Sequence, residues 1–181
     1  MSKTSAVAAK ALTSNHFELF GLAPAFALDL ARLESAYRDI QSKVHPDRYA
    51  QAGDAERRAS MQMTTRVNEA YRALKSPVQR AKYLLELNGV DVGFETNTAM
   101  PREFLMEQME LREKLEQAKT SSALDVISRD LAAEKREIEN QIRERIDGKR
   151  DLAAAADLVR KLMFLERFGE DIAAAHEALD G

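Results

Sequence analysis

The amino-acid sequence predicts an all-α protein with two helical modules. Only 7 glycines and 6% aromatic residues leave few positions that favour strands, whereas long stretches are rich in the helix formers Ala, Leu and Glu. Apolar residues recur at spacings of three and four along most of the chain. A polar stretch with turn-forming residues, VDVGFETNTAM, separates the two groups of helical segments.

Capping residues mark the first two predicted helices. Asn15 precedes the short segment HFELF, which Gly21 ends, and Asp29 precedes a longer helix. The apolar stripe of that longer helix is formed by Leu30, Leu33, Tyr37, Ile40 and Val44. The helix must end near Val44, because Pro46 has no amide hydrogen and disfavours helical geometry at the residue before it.

Two more helices complete the first module. One spans about residues 55–74 after a polar loop that contains Gly53. Its apolar side is formed by Met63, Val67, Ala70, Tyr71 and Leu74. The next helix has Ser76 as its cap and Pro77 at its first position, where an amide hydrogen would have been unpaired anyway, and Gly89 closes it.

Three long helices form the second module. They are predicted for residues 101–119, 121–147 and 151–179. Asp147 and Gly148 separate the last two, and a break is possible at Gly169. Long amphipathic helices with short connections can bury their apolar stripes only against each other, so we expect an antiparallel three-helix bundle.

The segments give a simple domain organisation. We expect a flexible N-terminal tail over residues 1–14, a helical domain over 15–89, a linker over 90–100 and the bundle over 101–181. Charge differs between the halves, since residues 1–80 hold 12 lysines and arginines against 8 acids, and residues 81–181 hold 15 against 22. The split suggests modules with different partners.

Composition excludes several classes of function. The chain has no cysteine, so it has no disulfide, no thiolate metal site and no cysteine nucleophile, and we expect a reducing, cytoplasmic location. No stretch approaches the roughly 18 apolar residues of a membrane span. The excess of basic residues in the first half is too small to indicate nucleic-acid binding. We also expect no metal and no cofactor.

A tripeptide at the end of the second helix, His45-Pro46-Asp47, has two interpretations. It can be an ordinary turn, in which proline fixes the backbone and aspartate bonds to nearby amides. It can also be a rigid corner that presents a ring and a carboxylate to a partner. Catalysis is disfavoured, because His16 and His176 are distant in sequence and no nucleophile or phosphate-binding loop accompanies the motif.

The surroundings of the tripeptide favour the second interpretation. The preceding helix carries basic residues off its core stripe, namely Arg32, Arg38 and Lys43. This helix, the motif, a polar loop and a second antiparallel helix together resemble the J domain of DnaK-type co-chaperones. The resemblance implies that His45-Pro46-Asp47 and the basic residues dock on a chaperone and stimulate its ATPase. Glu34 and Asp39 make this helix less basic than many J domains.

Four further segments narrow the family. LFGL at 19–22, SPVQRAKYLLELNGVD at 76–91, FLMEQMELREKLE at 104–116 and AADLVRKLMFLERF at 155–168 resemble the HscB co-chaperones of bacterial iron-sulfur cluster assembly. The resemblance implies a bundle that binds an IscU-type scaffold and a J domain that delivers it to HscA, a DnaK-type chaperone. It also implies a co-chaperone and not an enzyme.

The first bundle helix has two apolar faces. With about 100° per residue, a core stripe is formed by Phe104, Leu111, Leu115 and Ala118. A second patch lies on other sides of the helix and consists of Leu105, Met106 and Met109. A three-helix bundle cannot readily bury both faces, so we expect part of the patch to be exposed and to bind a partner. The alternative is that neighbouring helices or the J domain cover it.

The third bundle helix offers another candidate. Leu152, Val159 and Met163 align on one side, while Phe164 lies about 120° away from Leu152, so we expect Phe164 to be an exposed anchor. The family resemblance implies a scaffold-binding face made by Leu105, Met106, Met109, Glu110, Glu113 and Phe164. Two alternatives remain open at this point: a co-chaperone with a different client, and a structural helical protein whose tripeptide is an idle turn.

Overall fold

The computed structural model describes residues 14–93 and 102–180, and these residues form helices and connecting turns without any strand. The predicted all-α class is confirmed. The chain divides into two compact units, Met1–Leu84 and Leu85–Gly181. Nearly all of the predicted N-terminal tail and most of the predicted linker lie outside the described residues.

The first unit contains a long helical hairpin flanked by shorter helices. Its elements are α1 (His16–Leu19), α2 (Leu30–Val44), a 3-10 turn (Pro46–Tyr49), α3 (Asp54–Lys75) and α4 (Pro77–Leu87), the last of which continues into the second unit. The predicted caps are confirmed. Asn15 and Glu18 form a reciprocal capping box, and Asp29 accepts a hydrogen bond from the amide of Arg32 at 3.0 Å.

Helices α2 and α3 run antiparallel and share one core. Leu33 and Val44 of α2 are buried, and the buried residues of α3 include Met63, Val67, Ala70 and Leu74. The ring of Tyr37 stacks on Tyr71 at 4.1 Å, and its hydroxyl donates to Asn68 at 2.9 Å. Leu30, predicted on the buried stripe, is 51% exposed, so the stripe that covers the core begins one turn later.

The second unit contains the predicted three-helix bundle. Its helices are α5 (Arg102–Gln117), α6 (Ser121–Arg143) and α7 (Leu152–Asp180), and a π-helical turn (Glu144–Lys149) extends α6. The predicted end of the second bundle helix at Asp147 and Gly148 is therefore wrong. The helical path ends at Arg150, which adopts a left-handed conformation with φ 55°, and the amide of Asp151 bonds back to the carbonyl of Arg145 at 2.9 Å.

The possible break at Gly169 is also absent, because α7 continues through it. A Cβ atom at this position would lie 3.4 Å from Cδ2 of Leu131 in α6. The glycine thus belongs to a site of close approach between α6 and α7, and it does not end the helix.

Burial is unequal among the three bundle helices. In α6 the buried residues are Leu124, Leu131, Ile138 and Ile142. In α7 they include Ala155, Val159, Leu162, Leu165, Phe168 and Ile172. Helix α5 has only one buried residue, Phe104, while Leu111 and Leu115 on the same stripe are half-buried. Helix α5 is therefore the least embedded of the three.

The start of the second unit is fastened to its last helix. Val92 is buried, and its carbonyl accepts a hydrogen bond from Nε of Arg160 in α7 at 2.7 Å. Among the helices described, none is long and apolar enough to cross a membrane.

Candidate functional sites

The corner between α2 and α3 is formed by His45, Pro46 and Asp47. His45 leaves the helical conformation with φ −56° and ψ 131°, as expected for a residue that precedes proline. Pro46 then begins the short 3-10 turn, where its fixed φ and missing amide hydrogen are tolerated. The sequence-based position of the helix end is confirmed.

Side chains that follow the corner satisfy the last carbonyls of α2. The guanidinium of Arg48 donates to the carbonyl of Ser42 at 3.0 Å, and the hydroxyl of Tyr49 donates to the carbonyl of Lys43 at 3.2 Å. A helix end leaves its last four carbonyls without partners inside the helix, so these bonds stabilise the turn in one conformation. Sequence reasoning did not identify either residue.

Two hydroxyl groups of α3 fix the same helix end from the other side of the hairpin. Ser60 donates to the carbonyl of Val44 at 2.6 Å, and the hydroxyl of Thr64 lies 3.1 Å from the same carbonyl and 2.9 Å from the carbonyl of Ser60, so its one proton is shared between these two acceptors. Ser60 is buried. The signal in the sequence is a pair of hydroxyl residues, four positions apart, on the side of α3 that faces α2. A search for apolar stripes alone does not detect it.

His45 and Asp47 contact each other but remain open to solvent. The amide of Asp47 donates to Nδ1 of His45 at 3.3 Å, and Oδ2 of Asp47 lies 3.5 Å from the same nitrogen. An Nδ1 that accepts a hydrogen bond from the amide carries no proton. The carboxylate of Asp47 can therefore form an ion pair with Nδ1 only if the hydrogen bond from the amide breaks first. The side chains are 49% and 90% exposed, so both can reach a partner.

The predicted basic residues of α2 are exposed as well, namely Arg32, Arg38 and Lys43. Arg38 lies 3.7 Å from Glu34 one turn earlier. Both side chains are more than half exposed, so this pair contributes little to stability. Its main effect is to reduce the positive potential along this part of α2.

The predicted patch on α5 lies at the surface of the second unit. Leu105 is 46% exposed, Met106 53% and Met109 71%. Glu110 and Glu113, on the same side of the helix by the count of residues per turn, are also exposed. The expectation that neighbouring helices do not bury this patch is therefore confirmed within the described part of the chain. Its role in binding stays a prediction.

The expectation for Phe164 is wrong, because this side chain is only 8% exposed. Its ring meets that of Phe104 edge to face at 5.4 Å and stacks on Phe168 at 6.3 Å. The physical reason is that α7 is buried on more than one side, so residues about 120° apart around it can both lie in the core. Phe164 packs against the first turn of α5 and does not lie on the exposed surface.

The remaining histidines lie outside both surfaces. His16 stacks on Tyr83 at 4.0 Å, and its amide donates to the hydroxyl of Tyr83 at 3.0 Å. Burial, together with the positive charge of Arg66, lowers the pKa of His16 below its ordinary value. His176 lies 3.5 Å from Asp125. The described residues contain no cluster of three or more potential metal ligands from His, Cys, Asp or Glu.

Comparison with protein families gives a match for each half of the chain. Residues 15–83 match the DnaJ domain. Residues 100–173 match the HSCB C-terminal oligomerisation domain. The first match contains the corner at His45, and the second contains the patch on α5.

Curated relatives match along nearly the whole chain. A co-chaperone protein HscB homolog of Burkholderia vietnamiensis is 50% identical over 172 residues, covering 93% of this chain and 98% of the relative. A homolog of the same description from Aromatoleum aromaticum is 48% identical over 172 residues, covering 93% and 97%. The resemblance found in the sequence is thus confirmed by relatives that match over almost their whole length.

Solved structures agree in fold. The chaperone HscB from Vibrio cholerae superposes with a TM-score of 0.82 at 36% identity and covers 92% of this chain and 99% of its own. Human co-chaperone protein HscB gives a TM-score of 0.86 at 31% identity, with coverage of 90% and 82%. The chain contains a DnaJ domain and the HSCB C-terminal domain, and its curated relatives are about 50% identical to it. It therefore belongs to the HscB family of co-chaperones.

Proposed function

We propose that this protein binds an IscU-type iron-sulfur scaffold and delivers it to HscA, a specialised DnaK-type chaperone, whose ATPase it stimulates. In this proposal the first unit contacts the chaperone and the second unit binds the scaffold, and the protein works in the cytoplasm. The protein performs no chemical step of its own and needs no cofactor. The observation that carries the proposal is that two different exposed surfaces belong to one chain, one in its DnaJ domain and one in its HSCB C-terminal domain.

The chaperone arm rests on the corner at His45, Pro46 and Asp47. Proline and the carbonyl bonds of α2 hold the corner in place, so the ring and the carboxylate lose little conformational freedom on binding. Exposed Arg32, Arg38 and Lys43 favour approach to an acidic surface. The pair of Arg38 with Glu34 reduces this attraction, which favours a dedicated chaperone over general binding.

The scaffold arm rests on the α5 patch, Leu105, Met106 and Met109. Three neighbouring apolar side chains that are about half or more exposed are typical of an interaction surface, and methionine adapts to the shape of a partner. Exposed Glu110 and Glu113 supply a charged rim. Phe164 of α7 would contribute indirectly, because it packs against Phe104 of α5, the helix that carries the patch.

The two arms work together through proximity. A scaffold held on the second unit is kept at high effective concentration beside the chaperone that binds the first unit, without any further contact. The stimulation of ATP hydrolysis is then coupled to the presence of the client. No proton transfer by His45 is required, because the chaperone carries out the hydrolysis itself.

The test is the ATPase rate of HscA with this protein alone, with an IscU-type scaffold alone, and with both. We expect stimulation by the protein alone and a rate with both that exceeds the sum of the separate increases. An unchanged rate in every mixture would contradict the chaperone arm. Stimulation without synergy, together with no binding to the scaffold in calorimetry, would indicate a co-chaperone with a different client.

A further inference from the structure

Helix α5 carries the α5 patch but is weakly embedded. Phe104 is its one buried residue in the part of the helix that the structure describes. A helix with a single buried side chain can turn about its own axis more easily than one with a full apolar stripe. Since successive residues are separated by about 100°, even a modest rotation would move Leu105, Met106 and Met109 away from their present direction. Half-buried Leu111 and Leu115 restrain this rotation in part, and a further contact that fixes it would keep the patch in one direction.

One lysine of α7 joins all three bundle helices. Nζ of Lys161 lies 2.8 Å from Oε2 of Glu107 in α5 and 3.1 Å from Oε1 of Glu134 in α6. The same nitrogen lies 5.7 Å from the centre of the Phe104 ring, a contact that a cation favours. The Lys161 side chain is 28% exposed, so its charge is partly shielded from water, while the side chains of Glu107 and Glu134 are 51% and 36% exposed.

Charge and geometry at Lys161 agree. Burial by itself lowers the pKa of Lys161, but the hydrogen bonds to Glu107 and Glu134 outweigh it, and the pKa is raised above its ordinary value. The lysine is therefore charged throughout the neutral range. Glu107 lies one turn from Phe104 on α5, at the edge of its core stripe, so the two contacts hold neighbouring points on one side of the helix.

We propose that Lys161 is a positioning residue: by holding Glu107 and Glu134 it fixes the rotation of α5 and keeps the α5 patch directed toward a scaffold protein. This inference rests on the proposed function for its biological meaning. Its structural content, the orientation of α5, stands on the three contacts alone. The side chain of Lys161 does not itself need to touch the scaffold.

The experiment compares Lys161→Met with Lys135→Met in the full chain. Methionine keeps the apolar stem and removes the charge. Lys135 is the matched control, because its side chain is also 28% exposed and its pair with Glu166, at 3.8 Å, joins α6 and α7 without α5. We expect Lys161→Met to weaken IscU-type scaffold binding about threefold to tenfold, since the competent orientation becomes less populated. Lys135→Met should bind as the wild type does.

Two further measurements distinguish this positioning role of Lys161 from a purely structural role in the stability of the bundle. Hydrogen exchange of the α5 amides should rise in Lys161→Met while exchange in α6 and α7 stays unchanged. The exchanged pair Lys161→Glu with Glu107→Lys should recover most of the affinity that Lys161→Glu alone loses. Stimulation of HscA without scaffold should be the same in every variant.

Unchanged α5 exchange in Lys161→Met would overturn the inference, as would wild-type affinity, or a loss of protection spread over the whole bundle with no recovery in the exchanged pair. The failure of the proposed function looks different. If the wild-type protein does not bind the scaffold, the proposed client is wrong, and the hydrogen exchange of α5 still decides whether Lys161 orients this helix.

Discussion

The two exposed surfaces of this protein hold their side chains in place by different means. The corner at His45 is fixed through its backbone. Pro46 restricts the chain, and four side chains place donors at the last carbonyls of α2. The α5 patch lies on a regular helix with one buried residue and a charged contact to α7. A surface fixed through the backbone tolerates changes in nearby packing, whereas a surface on a weakly embedded helix depends on its support. The following predictions test this difference.

The largest effect is expected for His45→Gln, which should reduce the stimulation of HscA to the rate of the chaperone alone. Glutamine is polar and of similar size, but it has no ring and its flexible side chain is not held beside Asp47. ATPase assays measure the effect, and scaffold binding should be unchanged. His176→Gln in α7 is the control and should stimulate normally. Normal stimulation by His45→Gln would remove the corner from the mechanism.

Phe164→Ala should lower the free energy of unfolding of the bundle by about 3 to 5 kcal/mol, because it leaves a cavity between Phe104 and Phe168. Leu105→Ala, at a half-exposed position, should change it by less than about 0.5 kcal/mol. Urea unfolding followed by circular dichroism measures both. If the two variants have equal stability, the burial of Phe164 described above is not important for the fold.

Replacing Leu105 and Met109 together by alanine should weaken scaffold binding by about 2 to 4 kcal/mol, since a few central residues supply most of the energy of an interface. Calorimetry with an IscU-type scaffold measures the loss. Val126→Ala is the matched control, because Val126 of α6 is 45% exposed and Leu105 is 46% exposed. An equal loss in the control would show that the effect is not specific to α5.

The smallest effect concerns pH and the first unit. Because the pKa of His16 is lowered in the folded protein, the unfolded chain binds more protons just below the ordinary histidine value of 6.5. The stability of this unit should therefore be full above that value and fall as the pH drops below it. Tyrosine fluorescence during urea unfolding reports this unit alone, since Tyr37, Tyr49, Tyr71 and Tyr83 all lie within it.

His16→Gln should flatten this pH dependence, while His176→Gln should leave it unchanged. The groups that face His16 remain in both variants, namely Arg66, Glu69 and Tyr83. A slope that persists in His16→Gln would assign the effect to other residues.

Local chemistry made part of this molecule predictable. Asn15, Asp29 and Ser76 cap helices where the sequence placed them, and α2 ends before Pro46 as expected. In each case the interaction joins residues within three or four positions, so the sequence carries the whole signal. The backbone turn at His45 is predictable for the same reason, whereas its support from Ser60, 16 positions after Val44, is not.

Two of the errors involve contacts between distant segments, and the third involves an irregular helical turn. Gly169 on its own suggests a helix break, but in the structure it lies inside α7, at a point where Leu131 of α6 comes close. Phe164 looks exposed on a single-stripe count, because that count does not include a second neighbouring helix. Asp147 and Gly148 look like an ending, yet they lie within a π-helical turn. Periodicity gives the helices but does not give the number of partners that each one has.

The carbonyl of Val44 has a consequence for the order of folding. Its donor Ser60, and Thr64 whose hydroxyl it shares with the carbonyl of Ser60, come 16 and 20 positions later in the chain. A polypeptide emerging from the ribosome can wind α2 early, but this helix end acquires its partners only after much of α3 has been synthesised and has turned back. If the corner at His45 binds the chaperone as proposed, this binding depends on closure of the hairpin. A chain interrupted before Ser60 would contain the tripeptide without the hydrogen bond from Ser60.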